Sequence, residues 1–271
     1  MKSAIVVGSG AGGAAAARAL AGTMDVTVLE AGSEFQRFDS DLGGIERLRA
    51  SRLLFDPRTI RLLFPEMHVS RVSDGMVLVR GIGTGGTTTL ATGNALRCDE
   101  DLLLRGIDLE AEFRSLEQEL PISTAHRRRW RPVTRRLFET CEQLGMQPSV
   151  TPKLVDYSRC TRCGRCVLGC PSGAKWDSRR FLDQAIERGA RLVTRARVDR
   201  VVTSDAAGGA GRATGVVVRT HGRRRLLEAD LVVLAAGGLG TAGILARSGI
   251  SSEDHLFVDP VLCVAGPADR C

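Results

Sequence analysis

Ala4-Ile5-Val6-Val7 runs straight into Gly8-Ser9-Gly10-Ala11-Gly12-Gly13, and this junction constrains the chain more than any other stretch. An apolar run of strand type stops at glycines, and a small-residue helix is predicted from Gly12 to Ala21. A second apolar strand, Val26-Thr27-Val28-Leu29, then stops at Glu30. Strand, glycine turn, helix, strand and acid together make a βαβ dinucleotide fingerprint, a context that a glycine-rich turn in an ordinary α/β protein lacks. Gly8 permits the tight turn, Gly10 lets the backbone approach a pyrophosphate, and Gly13 lets helix and strand pack closely. The helix N-terminus offers unpaired N–H groups and the positive end of its dipole to phosphates. Glu30 follows Gly13 by seventeen residues, where a carboxylate can accept hydrogen bonds from an adenosine ribose.

At 271 residues the chain can form one large domain or two modest ones, and 43% hydrophobic with 25% charged residues fits a globular protein with a real core. The net charge of +7 comes largely from arginine, much of it in the short runs Arg127-Arg128-Arg129, Arg135-Arg136 and Arg223-Arg224-Arg225. Such runs read as solvated faces or loops, and an aromatic content of 4% supplies no base-stacking surface, so nucleic acid is not an expected partner. A basic surface can still attract an acidic partner or an anionic substrate. No apolar run reaches membrane-spanning length, and the first residues read as a strand rather than a signal peptide. A cytoplasmic location is expected. Eight cysteines, four of them between Cys160 and Cys170, then point to metal or cluster binding rather than a secreted disulfide framework.

After Glu30 the parallel-sheet pattern breaks off. Residues 33–75 read as an excursion containing a helix near Arg47–Leu54. Val77-Leu78-Val79-Arg80 forms a strand that leads into Gly85-Gly86-Thr87-Thr88. There the glycines let backbone lie against a flat or phosphorylated ligand and the hydroxyls can donate to it. By itself this is a structural turn or a second ligand-contacting segment. Residues 101–146 carry helix-compatible apolar spacing, divided at Pro121 and Pro132. A helix is predicted over Arg179–Arg188, stopping at Gly189, then strands near 192–194, 198–203, 214–219 and 225–228, with a glycine-rich turn at 206–211. The buried-type run Ala229–Gly238 comes last, with a helix over 241–247. A nicotinamide dehydrogenase would continue β-α-β directly from Glu30. A long excursion, an antiparallel set and a late strand returning beside the first are the order of a two-dinucleotide-binding flavoprotein, which favours FAD.

Several separate stretches resemble the glucose–methanol–choline (GMC) oxidoreductases, FAD-dependent enzymes that oxidise alcohols or similar carbons. The matching stretches are Gly8–Gly13 with Glu30, then Gly85-Gly86-Thr87-Thr88, and Ala235-Ala236-Gly237-Gly238-Leu239-Gly240-Thr241-Ala242-Gly243 with Ser248-Gly249-Ile250. The tail Asp254–Pro260 is similar too. The resemblance implies an α/β, Rossmann-like FAD-binding fold over 1–271 as a single domain. It would carry a mainly helical insertion over about 33–190 and a small antiparallel sheet. It implies FAD contacts from Gly8, Gly10, Ala11, Gly12, Gly13, Glu30, Ala31, Arg80, Gly85, Gly86, Thr87, Thr88, Asn94, Val198, Ala236 and Gly237. Two departures stand out. Ala91 occupies the place of a family asparagine, with Asn94 nearby but shifted, and family members run about twice this length. Their C-terminal half completes the substrate pocket and carries a histidine base. None of His68, His126, His221 or His255 lies in a matching motif, so no catalytic base is assigned. The expectation is that the catalytic half is absent: either a partner subunit supplies it, or the chain is a fragment or a degraded homologue.

Cys160-x2-Cys163-x2-Cys166-x3-Cys170-Pro171 matches the bacterial ferredoxin run, with Gly164 and Gly169 able to relieve the backbone. A [4Fe–4S] cluster is expected, its fourth ligand being Cys170 bent back or one of Cys98, Cys141 and Cys263, because the run has no second copy. Tetrahedral zinc on the four thiolates is the alternative, and a disulfide a third. Some family members, including long-chain alcohol oxidases, look similar from Cys163 to Lys175. The functional expectation is an FAD-dependent dehydrogenase, or its FAD-binding subunit, acting on an alcohol-type carbon, with electrons leaving through the cysteine site. The alternatives are a FAD and iron–sulfur electron-transfer subunit that meets no organic substrate, and a zinc-stabilised inactive relative.

Overall fold

The computed structural model describes residues 1–37, 57–72, 77–204 and 211–252. The expected helix at 47–54, the 206–210 part of the glycine turn, the 254–260 tail, His255 and Cys263 lie outside them. In chain order the strands are β1 (Ser3–Val7), β2 (Asp25–Leu29), β3 (Met67–Arg71), β4 (Val77–Gly81), β5 (Ile122–Ser123), β6 (Lys153–Leu154), β7 (Arg191–Val193), β8 (Ala196–Thr203), β9 (Ala213–Thr220), β10 (Arg223–Glu228) and β11 (Leu231–Leu234). The α-helices are α1 (Ala11–Leu20), α2 (Pro57–Leu63), α3 (Glu100–Leu104), α4 (Glu110–Glu119), α5 (Pro132–Gln143), α6 (Arg179–Glu187) and α7 (Gly237–Arg247). The chain divides into two compact units.

The first unit comprises Met1–Ala91, Arg165–Pro171 and Asp177–Asp254. Its centre is a parallel sheet in the order β11-β1-β2-β7. The late strand therefore does return beside the first, with Ala4 opposite Leu231 and Val7 opposite Leu234. Val6, Val26 and Val28 are fully buried, as continuous apolar runs in a doubly covered parallel sheet require. One cover is α1 packed with α6. Arg18 of α1 lies 3.7 Å over the Phe181 ring and donates to Gln184 at 3.2 Å. The other cover is the antiparallel sheet β10-β9-β8, whose Val198, Val201, Val216 and Val218 close over Ile5, Val7 and Leu29.

Alanine and glycine make α1 thin enough to lie on its strand. A Cβ on Gly13 would stand 1.9 Å from the Gly8 carbonyl oxygen, so no larger residue fits at this crossing. Gly8 itself has φ +100, and a Cβ there would meet the Ala235 carbonyl oxygen at 2.4 Å. The turn is thus wedged between α1 and the end of β11. Helix α7 starts at Gly237, four residues earlier than its apolar spacing predicts. Glycines carry little helix propensity, and here the packing of Ile244 into the core outweighs it.

Strand β3 pairs with β4, placing His68 opposite Arg80. Burial, and then Arg61, Arg80 and Arg197, hold the His68 pKa below its ordinary value. The unfolded chain therefore takes up this proton more readily than the fold does. The associated stability is present above about pH 6.5 and is lost as pH falls below it. Urea unfolding at stepped pH values is expected to show this fall, and His68→Gln to flatten it. An unchanged slope would contradict the assignment.

The second unit comprises, among the described residues, Thr92–Gly164 and Ser172–Trp176. Its described part holds α3, α4, α5 and the short pair β5–β6. Leu154 N–H donates to the Gly93 carbonyl and Trp176 N–H to the Leu154 carbonyl, which ties three segments together. Helices α3, α4 and α5 contain no buried residue, and Leu104, Leu137 and Leu144 are exposed. Trp130 and Phe138 pack at 5.1 Å between ring centroids, with Arg127 5.1 Å over the Phe138 ring.

Candidate cofactor cradle

The first unit encloses a cavity of about 640 Å³ at the carboxyl ends of β1, β2 and β11, where a doubly wound sheet places its ligands. Gly8, Gly10, Ala11, Gly12, Glu30, Ala31, Arg80, Gly86, Thr87, Thr88, Val198, Ala236 and Gly237 all line it. Of the other expected residues in this unit, Gly13 and Gly85 support the wall from behind. Asn94 belongs to the second unit, where its side-chain oxygen accepts a hydrogen bond from Lys153. The cavity is also lined by Leu239 and Gly240 of the stretch that resembles the family, and by Ile82, Arg197, Ile244 and Arg247, to which the sequence assigned no cofactor contact.

Helices α1 and α7 both direct their N-termini at this space, and neither has a side-chain cap. The first N–H groups of a helix have no intrahelical partner, and two positive dipole ends converge on one volume. The residues fit a pyrophosphate there. A Cβ on Gly10 meets nothing closer than 4.0 Å and one on Gly12 nothing closer than 3.9 Å, so both positions open into the cavity. At Gly86 the situation reverses. A Cβ there would come 2.9 Å from the Gly10 Cα, which locks the two glycine turns against each other.

A buried polar network holds these turns. Glu30 is 5% exposed and its Oε2 accepts from the Ser9 N–H at 3.0 Å and the Ser9 hydroxyl at 2.6 Å. Its Oε1 accepts from Gly32 N–H at 2.9 Å and retains acceptor capacity on the cavity side. Gly85 N–H donates to the Ser9 hydroxyl oxygen at 3.2 Å. Ser178, fully buried ahead of α6, reaches the Ser9 carbonyl at 3.1 Å and the Gly85 carbonyl at 3.0 Å, while its own N–H donates to the Thr88 hydroxyl at 3.0 Å. The sequence does carry a signal for Ser178, a serine directly before an amphipathic helix. Ser178→Ala should leave the buried Ser9 carbonyl without its hydroxyl donor, the Gly85 carbonyl keeping the Thr88 hydroxyl at 2.6 Å, and cost about 1–3 kcal/mol, read by urea unfolding. Parent-like stability would show that the network is dispensable.

The cysteine run is divided between the two units. Cys160 and Cys163 belong to the second unit, Cys166 and Cys170 to the first. Gly164 and Gly169 do adopt left-handed conformations, with φ +71 and +94, and Cys170 shares that region at φ +48. Gly169 is there because the Phe35 ring lies so close that a Cβ would meet it at 2.5 Å. Among the described residues no three His, Cys, Asp or Glu side chains group as ligands for a metal ion. Among the described residues, too, no helix is long and apolar enough to cross a membrane.

Comparison with known proteins agrees with the cradle. The GMC oxidoreductase family profile matches residues 3–263. An uncharacterised GMC-type oxidoreductase of Mycobacterium tuberculosis is 32% identical over 290 residues, covering 98% of this chain and 43% of its own length. A long-chain-alcohol oxidase of Arabidopsis thaliana is 28% identical over 293 residues, covering 97% of this chain and 36% of its own length. The crystal structure of pyridoxine 4-oxidase from Mesorbium loti superposes with a TM-score of 0.64 at 19% identity, over 92% of this chain and 52% of that one. The chain thus spans less than half the length of the curated relatives it matches here. It belongs to the GMC oxidoreductase family.

Proposed function

We propose that this chain is the FAD-holding part of an oxidoreductase that acts on a CH–OH carbon. The observation that carries the reading is the convergence of two uncapped helix N-termini and two interlocked glycine turns on one cavity. FAD, when bound, supplies the acceptor for a hydride equivalent. The N–H groups at Gly10–Gly12 hold its pyrophosphate, Glu30 Oε1 takes ribose hydroxyls, and Ala31 and Val198 border the adenine. Gly85–Thr88 and Ala236-Gly237 position the flavin end. The relatives' names, long-chain-alcohol oxidase and pyridoxine 4-oxidase, support an alcohol-type donor.

The described histidines His68, His126 and His221 do not line the cavity. In this reading the proton acceptor and most of the substrate pocket lie in polypeptide equivalent to the relatives' remaining length, provided by a partner subunit or a continuation of the chain. The test is anaerobic. The chain, isolated with whatever it associates with and loaded with FAD, is mixed with a series of primary alcohols while the flavin bands are followed. Bleaching with aldehyde formation supports the reading. Reduction by a protein electron donor, with no response to any alcohol, would instead mark an electron-transfer component.

A further inference from the structure

The outer face of the β8–β10 sheet carries a cluster of arginines, of which Arg197 and Arg247 also border the cofactor cavity while Arg200, Arg219 and Arg224 do not. Register places Arg197 of β8 directly opposite Arg219 of β9, and Arg219 directly opposite Arg224 of β10. Three guanidiniums thus stand in one row across the whole sheet, although like charges facing each other across strands are destabilising. A register shift between Val198 and Arg200 adds to the row. It keeps Val198 and Val201 both buried in the core and turns both Asp199 and Arg200 to the arginine face. Arg247 of α7 closes the side, its Nε donating to the Asp199 carbonyl at 2.7 Å.

The result is a cavity of about 620 Å³ lined by five arginines, one aspartate and Val217. Asp199 is the single carboxylate in that lining. It accepts from Arg224 Nε at 3.0 Å and lies 3.6 Å from Arg219. Arg197 and Arg200 have no carboxylate partner among the described residues. Asp199 pairs with two of the guanidiniums and holds a third through its carbonyl, so it organises the cluster without neutralising it.

We infer that this cavity is an oxyanion site, built for a multiply charged phosphoryl group on a small molecule. Planar guanidinium forks match phosphate oxygens two at a time, and several forks at fixed positions select a dianion over chloride. The source can be free inorganic phosphate or pyrophosphate, or the phosphorylated end of a nucleotide. The chemistry is the same, and affinity separates the two.

The experiment is calorimetric titration of the FAD-loaded protein, whose cradle is filled, with inorganic phosphate, pyrophosphate, ADP and adenosine at constant ionic strength. Saturable binding of one phosphoryl ligand per chain is expected, with chloride not competing. ADP tighter than pyrophosphate would assign a nucleotide, and equal affinities a free phosphate. The double substitution Arg200→Gln with Arg224→Gln, outside the cofactor cavity, should weaken binding at least about tenfold with flavin content unchanged. Arg200→Lys with Arg224→Lys keeps the charge and loses the forks, and should fall between the two. Linear, chloride-sensitive uptake, or parent-like affinity in either double variant, would overturn the proposal. Repeating the titration with flavin-free Gly10→Val protein separates the two sites, because phosphate binding should persist there.

Discussion

Replacing Gly10 by valine is expected to empty the cradle while leaving the fold standing. Gly10 has φ −67 and ψ −169, extended geometry that any residue adopts, and its missing Cβ faces open space. The protein alone thus gives no steric reason for glycine there. Valine at a helix N-cap costs about 1 kcal/mol, which a core of this size tolerates. Its methyls, however, fill the volume in which a pyrophosphate would meet the first N–H groups of α1. Losing two charge-assisted hydrogen bonds, at about 1.5–3 kcal/mol each, weakens FAD by roughly a hundredfold or more. Flavin fluorescence and thermal melting check this together. A folded variant that keeps parent-like FAD affinity would remove Gly10 from the site.

Three residues further on, the same type of change should have the opposite effect. Alanine is a better helix former than glycine by about 0.8–1.0 kcal/mol, so propensity alone favours Gly13→Ala. The structure overrules propensity. The new Cβ would stand 1.9 Å from the Gly8 carbonyl oxygen, backbone against backbone, with no flexible side chain to give way. Helix α1 must then lift off β1, opening the layer that buries Ala14 and Ala17 against Val6 and Val28. Destabilisation beyond about 4 kcal/mol is expected, seen as loss of cooperative melting or of soluble protein. A Tm at or above the parent's would show that the helix–strand crossing is looser than described. The two substitutions separate the motif's roles, since one glycine is kept for a ligand and the other for the fold.

That separation was legible in the motif, which gives Gly10 to the ligand and Gly13 to the helix–strand crossing; how much room each position has was not. Gly8-x-Gly10-x-x-Gly13 with Glu30 announced a βαβ unit, and Ala235–Gly238 announced a strand returning beside β1. Both are local patterns whose periodicity survives in the fold. The contact between Ser9 and Ser178 was out of reach, although Ser178 alone stands where a helix starts. They meet across 169 positions of chain, and nothing near either residue signals the other. The arginine row was equally hidden, because a register shift at Asp199 decides which side chains share a face. For the cysteine run the local pattern was complete, yet the described chain uses Gly169 to seat Phe35 and groups no three ligands.

The most direct measurement is a titration of purified, flavin-free protein with FAD, followed by fluorescence quenching, with FMN as the control lacking the adenosine half. The expected result is saturation at one FAD per chain, with FMN weaker by roughly a hundredfold because the contacts at Gly10–Gly12 and Glu30 go unmade. Folded protein that ignores FAD, or binds FMN equally well, would contradict a dinucleotide cradle at the ends of β1, β2 and β11.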